Sequence, residues 1–251
     1  MTQTPPPPLE PLNEDWERML CIVAHPDDLE FGAAAAVARW TGQGKRVAYC
    51  MVTSGEAGID GMSPAESRGV RELEQVRSAQ IVGVEEVEFL GLPDGTLEYG
   101  VDLRRAIAAV VRLHRPEIVV TGNFRDSWGE GGGLNQADHI AVGRAVLDAV
   151  RDAGNRWIFN EQLETYGVQP WGGVREVWAS GSPLSRHGVD ITENFNAGVA
   201  SLAAHQAYID GLGWADFDPA EFLEGMSRAS GQRMGVAHAA SFEIFNMGWG
   251  G

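Results

Sequence analysis

The sequence has 251 residues, of which 44% are apolar and 22% are charged, so it can build its own core without disulfide or metal staples. Acidic residues outnumber basic ones by 35 to 19, and the formal net charge is −16. Nucleic acids and anionic membranes attract positively charged faces, so this balance argues against both as the main partner. The two cysteines lie in apolar runs, which excludes a disulfide scaffold and favours a cytoplasmic location.

The N-terminal segment MTQTPPPPLEP contains four consecutive prolines and has neither a basic region nor the apolar region of a secretory signal. We therefore predict a disordered Pro-rich tail over residues 1–15, followed by a single domain over residues 16–251. The sequence contains no run of about 18 apolar residues, so we expect no membrane-spanning helix.

Short apolar runs alternate with helical patterns along the first two-thirds of the sequence. In chain order we predict a strand over 19–24, a helix ending near residue 43, a strand over 46–52, a helix over 64–82, a strand over 87–90, a helix over 103–114, a strand over 117–121 and a helix over 137–150. Ser63, Pro64 and Glu66 form a complete helix start, with a cap, a first-turn proline and a capping-box acid.

This alternation predicts an α/β fold of the Rossmann-like, doubly wound type, with a mainly parallel sheet and helices on both faces. The last hundred residues predict a C-terminal α/β extension. Its elements are a strand over 175–179, helices over 192–209 and 219–234, and a last strand over 242–245.

The segment HPDD at positions 25–28 directly follows the first predicted strand. In open α/β sheets, ligands bind beyond the carboxyl ends of the strands. His25 and Asp28 can converge on one divalent ion, and a catalytic zinc needs a third protein ligand. His139 fits that place, because it begins the helix after the fourth strand. A lone loop histidine would need no ion, but two adjacent carboxylates repel unless a cation or a helix N-terminus offsets them.

The segment AHPDDLE at positions 24–30 resembles the signature of the PIG-L/LmbE-like N-deacetylases. Further segments follow in the order that this family shows. They are TSGE at 53–56, Arg71 with Glu74, FLGLPDG at 89–95, Asp138-His139, DIT at 190–192 and Ala204-His205. The resemblance covers residues 19 to 210.

The resemblance implies a metal-dependent amidohydrolase that removes an N-acetyl or other N-acyl group from an amino-sugar-containing small molecule. It makes His25, Asp28 and His139 the metal ligands and Asp27 the general base. Zn²⁺ is the implied cofactor, although the same donors suit Fe²⁺ or Co²⁺.

Gln136 is the clearest departure from the family pattern, which has a histidine three residues before the last ligand. We place Gln136 among the catalytic residues because its amide can donate a hydrogen bond to an oxyanion, although it cannot supply a proton. Asp138 is expected to orient a ligand or the water. The resemblance also gives His205 a catalytic role, with a core or capping histidine as the alternative. Gly198 stands where family members commonly have a lysine.

Four residues are candidates for substrate binding. Arg71 either points at the substrate or forms an exposed ion pair with Glu74. Asp94 lies in a Pro-Asp-Gly turn, and turn chemistry alone would explain it. Arg125 and Trp128 belong to the Gly-rich loop 122–135, which we interpret as a substrate-binding lid.

Three functions stay open at this point. The first is an N-deacetylase of an amino sugar, and the second is a thiol-conjugate amidase or a natural-product tailoring amide hydrolase. The third is a catalytically impaired metal-binding relative, suggested by Gln136. The partner in the first two is a small-molecule amino sugar or amide. We expect neither nucleic acid nor a membrane as partner, and the sequence leaves a homo-oligomer open.

Overall fold

The computed structural model describes residues 6–129, 131–214 and 216–248. Within these ranges the strands are β1 (Glu10–Pro11), β2 (Arg18–Val23), β3 (Arg46–Met51), β4 (Glu86–Phe89), β5 (Ile118–Thr121), β6 (Glu176–Ser180), β7 (His187–Asp190) and β8 (Ala239–Asn246). The helices are α1 (Ala34–Gly42), α2 (Pro64–Ile81), α3 (Val101–His114), α4 (Ala137–Gly154), α5 (Glu161–Thr165), α6 (Phe195–Ala203), α7 (Gln206–Gly211) and α8 (Pro219–Met234).

All these strands belong to one sheet with the order β1-β7-β8-β6-β5-β2-β3-β4. The five strands β6, β5, β2, β3 and β4 run parallel to one another, and β1 runs parallel to β7. Strand β8 runs antiparallel to both of its neighbours, β6 and β7. The sheet is therefore mainly parallel, and the C-terminal extension supplies its antiparallel part.

The central strand β2 is buried on both faces, which explains its continuous apolar sequence. Met19, Cys21 and Val23 enter a core covered by α1 and the end of α2, whereas Leu20 and Ile22 enter a second core covered by α3 and α4. The predicted doubly wound fold is thus confirmed. Among the described helices, none combines the length and apolarity that crossing a bilayer requires.

The helix predicted over 192–209 is two helices, α6 and α7, with a break at His205. His205 has φ −86° and ψ 48°, and its side chain is fully buried. After this break α7 packs against α2, where the Ala207 N–H donates to Glu74 Oε1 at 2.6 Å. Gly198 allows α6 to approach α1, because a Cβ at this position would lie 2.8 Å from the Cβ of Ala35. A lysine therefore does not fit here.

The prediction of a tail over 1–15 needs correction for residues 9–12. Leu9 and Leu12 are buried, and the Leu9 N–H donates to the Arg233 carbonyl at 3.0 Å. Between them, β1 pairs with β7 at the edge of the sheet, a place where Pro11 removes no ladder hydrogen bond that a neighbour needs. Two buried apolar side chains and backbone pairing with β7 anchor this segment. Residues 1–5 of the predicted tail lie outside the described residues.

The strand order places β2 between β5 and β3, so the connections after β2 and after β5 leave the sheet in opposite directions. Such a switch point opens a crevice at the carboxyl ends of the strands. The segment 24–33 follows β2 and the segment 122–136 follows β5. The fold therefore brings the predicted ligands together across this crevice.

Candidate active site

Three side-chain donor atoms converge at the crevice. His139 Nε2 lies 3.0 Å from Asp28 Oδ1 and 3.3 Å from His25 Nδ1, and His25 Nδ1 lies 3.6 Å from Asp28 Oδ2. These atoms lie within 4.8 Å of one another, a spacing that lets one cation bind all three. Two imidazole nitrogens and a carboxylate oxygen are a common donor set for catalytic zinc.

Hydrogen bonds fix which nitrogen of His139 is free to bind. Asn135 donates its side-chain N–H groups to the carbonyls of Asn123 and Arg125 at 2.7 and 3.0 Å, which turns its Oδ1 toward the ring. His139 Nδ1 lies 2.9 Å from that oxygen. Since an amide oxygen can only accept, the proton is on Nδ1 and the lone pair of Nε2 faces the other donors.

Two carboxylates orient His25 in the same way. His25 Nε2 lies 3.0 Å from Asp94 Oδ1 and 3.4 Å from Asp138 Oδ2. The proton is therefore on Nε2, and the lone pair of Nδ1 faces Asp28. Asp138 is itself fixed by the N–H groups of Gly95 and Leu97, at 2.8 and 3.0 Å. Both rings thus present a lone pair to the same point.

The electrostatics of the site favour positive charge at this point. Burial lowers the pKa of His25 and of His139, but the surrounding carboxylates, with Asp28 first among them, together outweigh burial and raise the pKa of both rings. The two rings in turn hold the pKa of Asp28 below its usual range, against the effect of burial. A divalent cation supplies the same positive charge, so the residues present fit a metal ion.

Asp27 lies beside the three converging donors in an unusual conformation. Its φ is +83°, a left-handed value that is uncommon for a residue other than glycine, and its side chain is buried. Arg71 Nη2 donates to Asp27 Oδ2 at 2.8 Å and to the Pro26 carbonyl at 2.7 Å. Burial raises the pKa of the Asp27 carboxyl to about 7, although the Arg71 guanidinium opposes this shift. A pKa near neutrality suits a group that must both take and return a proton.

The buried face of α2 supports this segment with polar side chains. Gln75 accepts the Asp27 N–H at 2.9 Å and donates to Glu30 Oε1 at 2.9 Å, and Ser78 donates to the same oxygen at 2.6 Å. Sequence reasoning missed Gln75, Ser78 and Asn135. One signal existed for the first two, because Arg71, Gln75 and Ser78 recur at helical spacing on the face that must be buried.

His205 lies behind the site rather than in it. It is fully buried, and its Nε2 is 3.7 Å from Glu30 Oε1. Burial lowers the pKa of His205, but the neighbouring carboxylates, with Glu30 first among them, together outweigh burial and raise the pKa. A side chain in this position cannot touch a substrate. The expectation of a catalytic role in the cleft is therefore corrected, and the capping or core alternative is favoured.

The structure also changes the roles of three substrate-binding candidates. Arg71 is buried on Asp27 and is not in an exposed pair with Glu74. Asp94 contacts His25, so it orients this ring in addition to forming its turn. Arg125 forms an ion pair with Glu243, with Nε 3.1 Å from Oε2, and its guanidinium is not free for a substrate. All three side chains are occupied by protein partners.

Two further candidates lie near the mouth of the site. Gln136 is the N-cap residue of α4 and is exposed. Trp128 is 48% exposed, and its ring lies edge-on to His139 with 6.1 Å between ring centroids. The interpretation of loop 122–135 as a lid stays a prediction, and Glu130 within it lies outside the described residues.

The sequence matches the model of a known protein family. Residues 20–150 match the family model described as PIG-L, GlcNAc-PI de-N-acetylase. The chain belongs to the PIG-L family. It is 30% identical over 216 residues to the diacetylchitobiose deacetylase of Thermococcus kodakarensis, and the match covers 84% of this chain and 76% of that protein. The predicted resemblance is confirmed.

Solved structures of the same fold have more than one activity. The N,N′-diacetylchitobiose deacetylase of Pyrococcus horikoshii superposes with a TM-score of 0.83 at 23% identity, covering 93% of this chain and 85% of that one. A 4-carboxy-2-hydroxymuconate hydratase of Pseudomonas putida has a TM-score of 0.72 at 19% identity, covering 91% and 95%. The fold alone therefore does not select a reaction, and the residues of the site must.

Proposed function

We propose that this PIG-L protein is a metal-dependent amidohydrolase that removes an N-acetyl group from a small amino-sugar substrate. The observation that carries the proposal is the convergence of His25 Nδ1, His139 Nε2 and Asp28 beside the Asp27 carboxylate. The similarity to a diacetylchitobiose deacetylase over most of both chains supports the substrate class.

We propose Zn²⁺ as the ion that His25, Asp28 and His139 hold. Two neutral imidazoles and one carboxylate suit zinc and leave room for water and substrate, although Fe²⁺ and Co²⁺ accept the same donors. When bound, the ion supplies Lewis acidity, which polarises an amide carbonyl and makes water more acidic. Asp94, Asp138 and Asn135 keep the two rings in the tautomers that binding needs.

Asp27 performs the proton transfers. Its carboxylate takes a proton from the attacking water as the water oxygen bonds to the amide carbon, and it delivers this proton to the nitrogen when the carbon–nitrogen bond breaks. The products are acetate and a free amine. Arg71 holds Asp27 Oδ2, which leaves Oδ1 to carry the proton.

Trp128 offers the amino sugar a place to bind. Its half-exposed indole lies beside His139, and the apolar face of a sugar ring packs well on an aromatic ring. Loop 122–135, which carries Trp128, would then cover the substrate. Arg125 would support this loop through Glu243 instead of contacting the sugar.

The test is acetate release by the zinc-loaded protein from N,N′-diacetylchitobiose and from N-acetylglucosamine, with free amine measured in parallel. We expect equal amounts of acetate and amine from at least one of the two. Asp27→Asn, which keeps the three ligands, is the control for contaminating activity. No acetate from either sugar, together with cleavage of a thiol-conjugate amide, would replace this proposal by the thiol-conjugate amidase.

A further inference from the structure

The backbone at Asp27 is held in an uncommon conformation. A left-handed φ of +83° is rare for residues other than glycine, and it persists where the surroundings hold it. The direction of the Asp27 carboxylate depends on this backbone. Something must therefore hold the peptide in place as well as the carboxylate.

Two residues of α2, one helical turn apart, divide this work. Arg71 binds the Asp27 carboxylate and the Pro26 carbonyl, whereas Gln75 accepts the Asp27 N–H. Gln75 is fully buried, and its Oε1 contacts the HPDD segment 25–28 through the Asp27 N–H. Arg71 thus holds the carboxylate and the carbonyl side of the Pro26–Asp27 peptide, and Gln75 holds the N–H side of the same peptide.

Only glutamine suits position 75. The Asp27 N–H can only donate, so the residue must offer an acceptor there. The second partner of residue 75 is Glu30 Oε1, a carboxylate oxygen that also accepts from Ser78. Residue 75 must therefore offer a donor to Glu30. Among uncharged side chains of this length, glutamine alone has both groups, and its two partners determine which way its amide points. Glutamate would lack the donor, and methionine would lack both groups.

We propose that Gln75 is a positioning residue for Asp27, which holds the strained peptide and so aims the carboxylate at the reacting amide. This inference rests on the proposed function for its kinetic consequence, but the contact itself does not. Neither the family likeness nor the sequence pattern assigns Gln75 a role. Without the hydrogen bond from the Asp27 N–H to Gln75, the Asp27 backbone can relax to a common φ. The carboxylate then turns away from the crevice, while His25, Asp28 and His139 stay in place.

A double-mutant cycle of Gln75→Met with Asp27→Asn tests the proposal. Gln75→Met alone should lower kcat roughly 10- to 100-fold, with KM and metal content unchanged, because a misplacement of about 1 Å costs rates of this order. In the Asp27→Asn background the same change should cost less than about twofold, since Gln75 acts only through Asp27. Gln80→Met, an exposed glutamine on the same helix, is the matched control. An equal loss in both backgrounds would overturn the proposal.

Hydrogen exchange at the Asp27 amide gives a second readout that needs no activity. This N–H should exchange at least about tenfold faster in Gln75→Met than in the wild type or in Gln80→Met, because it loses its acceptor. Unchanged exchange would overturn the proposal. A wild type that releases no acetate would count against the proposed function, while the exchange rate still decides the contact. If Gln75→Met does not accumulate, Gln75→Leu replaces it in both measurements, because leucine also lacks the acceptor and introduces no buried charge.

Discussion

Replacement of Asp27 by asparagine separates metal binding from proton transfer. Asparagine keeps the shape of the side chain, tolerates a positive φ and still accepts a hydrogen bond from Arg71, so the fold and the ligands should persist. An amide cannot take a proton from water. We therefore expect turnover to fall roughly 10²- to 10⁴-fold, the usual effect of losing a general base.

The pKa of Asp27 gives the pH dependence. With a pKa of about 7, Asp27 is about one-tenth ionised at pH 6 and about one-hundredth at pH 5. A bound cation attracts the ionised form and lowers this pKa, so the acid limb of the kcat profile should lie at or below about pH 7 and fall about tenfold per pH unit. Asp27→Asn should lose this limb.

Stability of the metal-free protein provides an independent check of the same pKa. The carboxyl binds its proton more tightly in the folded state, with a pKa of about 7, than in the unfolded chain, where the ordinary value is about 3.9. The contribution of Asp27 to stability is therefore present below about pH 4 and is lost as the pH rises toward 7. Asp27→Asn lacks this pH dependence. The Tm of this variant should therefore rise relative to the Tm of the wild type as the pH increases from about 4 to about 7.

The assay follows acetate release from pH 5 to 8 for the wild type, Asp27→Asn and the exposed control Asp60→Asn, with metal content measured for each. Asp60→Asn should match the wild type throughout. Turnover of Asp27→Asn within a few-fold of the wild type, at equal metal content, would refute Asp27 as the base. So would an acid limb that survives unchanged in this variant.

Three further variants probe the surroundings of the base. His139→Ala should reduce metal content from about one ion per chain to below about one-tenth, measured by elemental analysis after dialysis, and full occupancy would remove His139 from the ligand set. Trp128→Ala should raise KM for the amino sugar about 3- to 10-fold with kcat little changed, and an unchanged KM would exclude stacking on this ring. Arg125→Ala should lower the free energy of unfolding by about 1 kcal/mol or less, by loss of the Glu243 pair, without raising KM, and a raised KM at unchanged stability would restore Arg125 as a substrate contact.

Local patterns predicted most of the regular structure. The helix predicted over 219–234 is found with the same ends, because Asp218 caps its start and Pro219 occupies its first turn. The capping box of Ser63 and Glu66 is likewise present. Strands β1 and β7 escaped prediction because they are only two and four residues long, and because β1 pairs with a strand far away in the sequence, Glu10 with His187.

The ligand candidates were predictable because parallel strands bring their carboxyl ends to one edge. His25 and His139 follow β2 and β5, which are neighbours in the sheet, so their convergence needs no detailed packing. The contacts that orient them are different. Asp94 already had a sufficient explanation as a turn residue, and the Arg71–Asp27 pair joins positions 44 residues apart with no local signal. Spacing along the sequence predicts which side chains reach the crevice, but not which of them hold the others.

A metal ion bound by this chain should make it an amino-sugar deacetylase. The most direct test is a titration of chelator-stripped protein with Zn²⁺, in which acetate release from N,N′-diacetylchitobiose is followed at each addition. Activity should be absent at the start, rise linearly and saturate near one equivalent, while Asp27→Asn binds the same equivalent without releasing acetate. Acetate release that is independent of added Zn²⁺, Fe²⁺ or Co²⁺, or a loaded protein that releases none, would contradict the account.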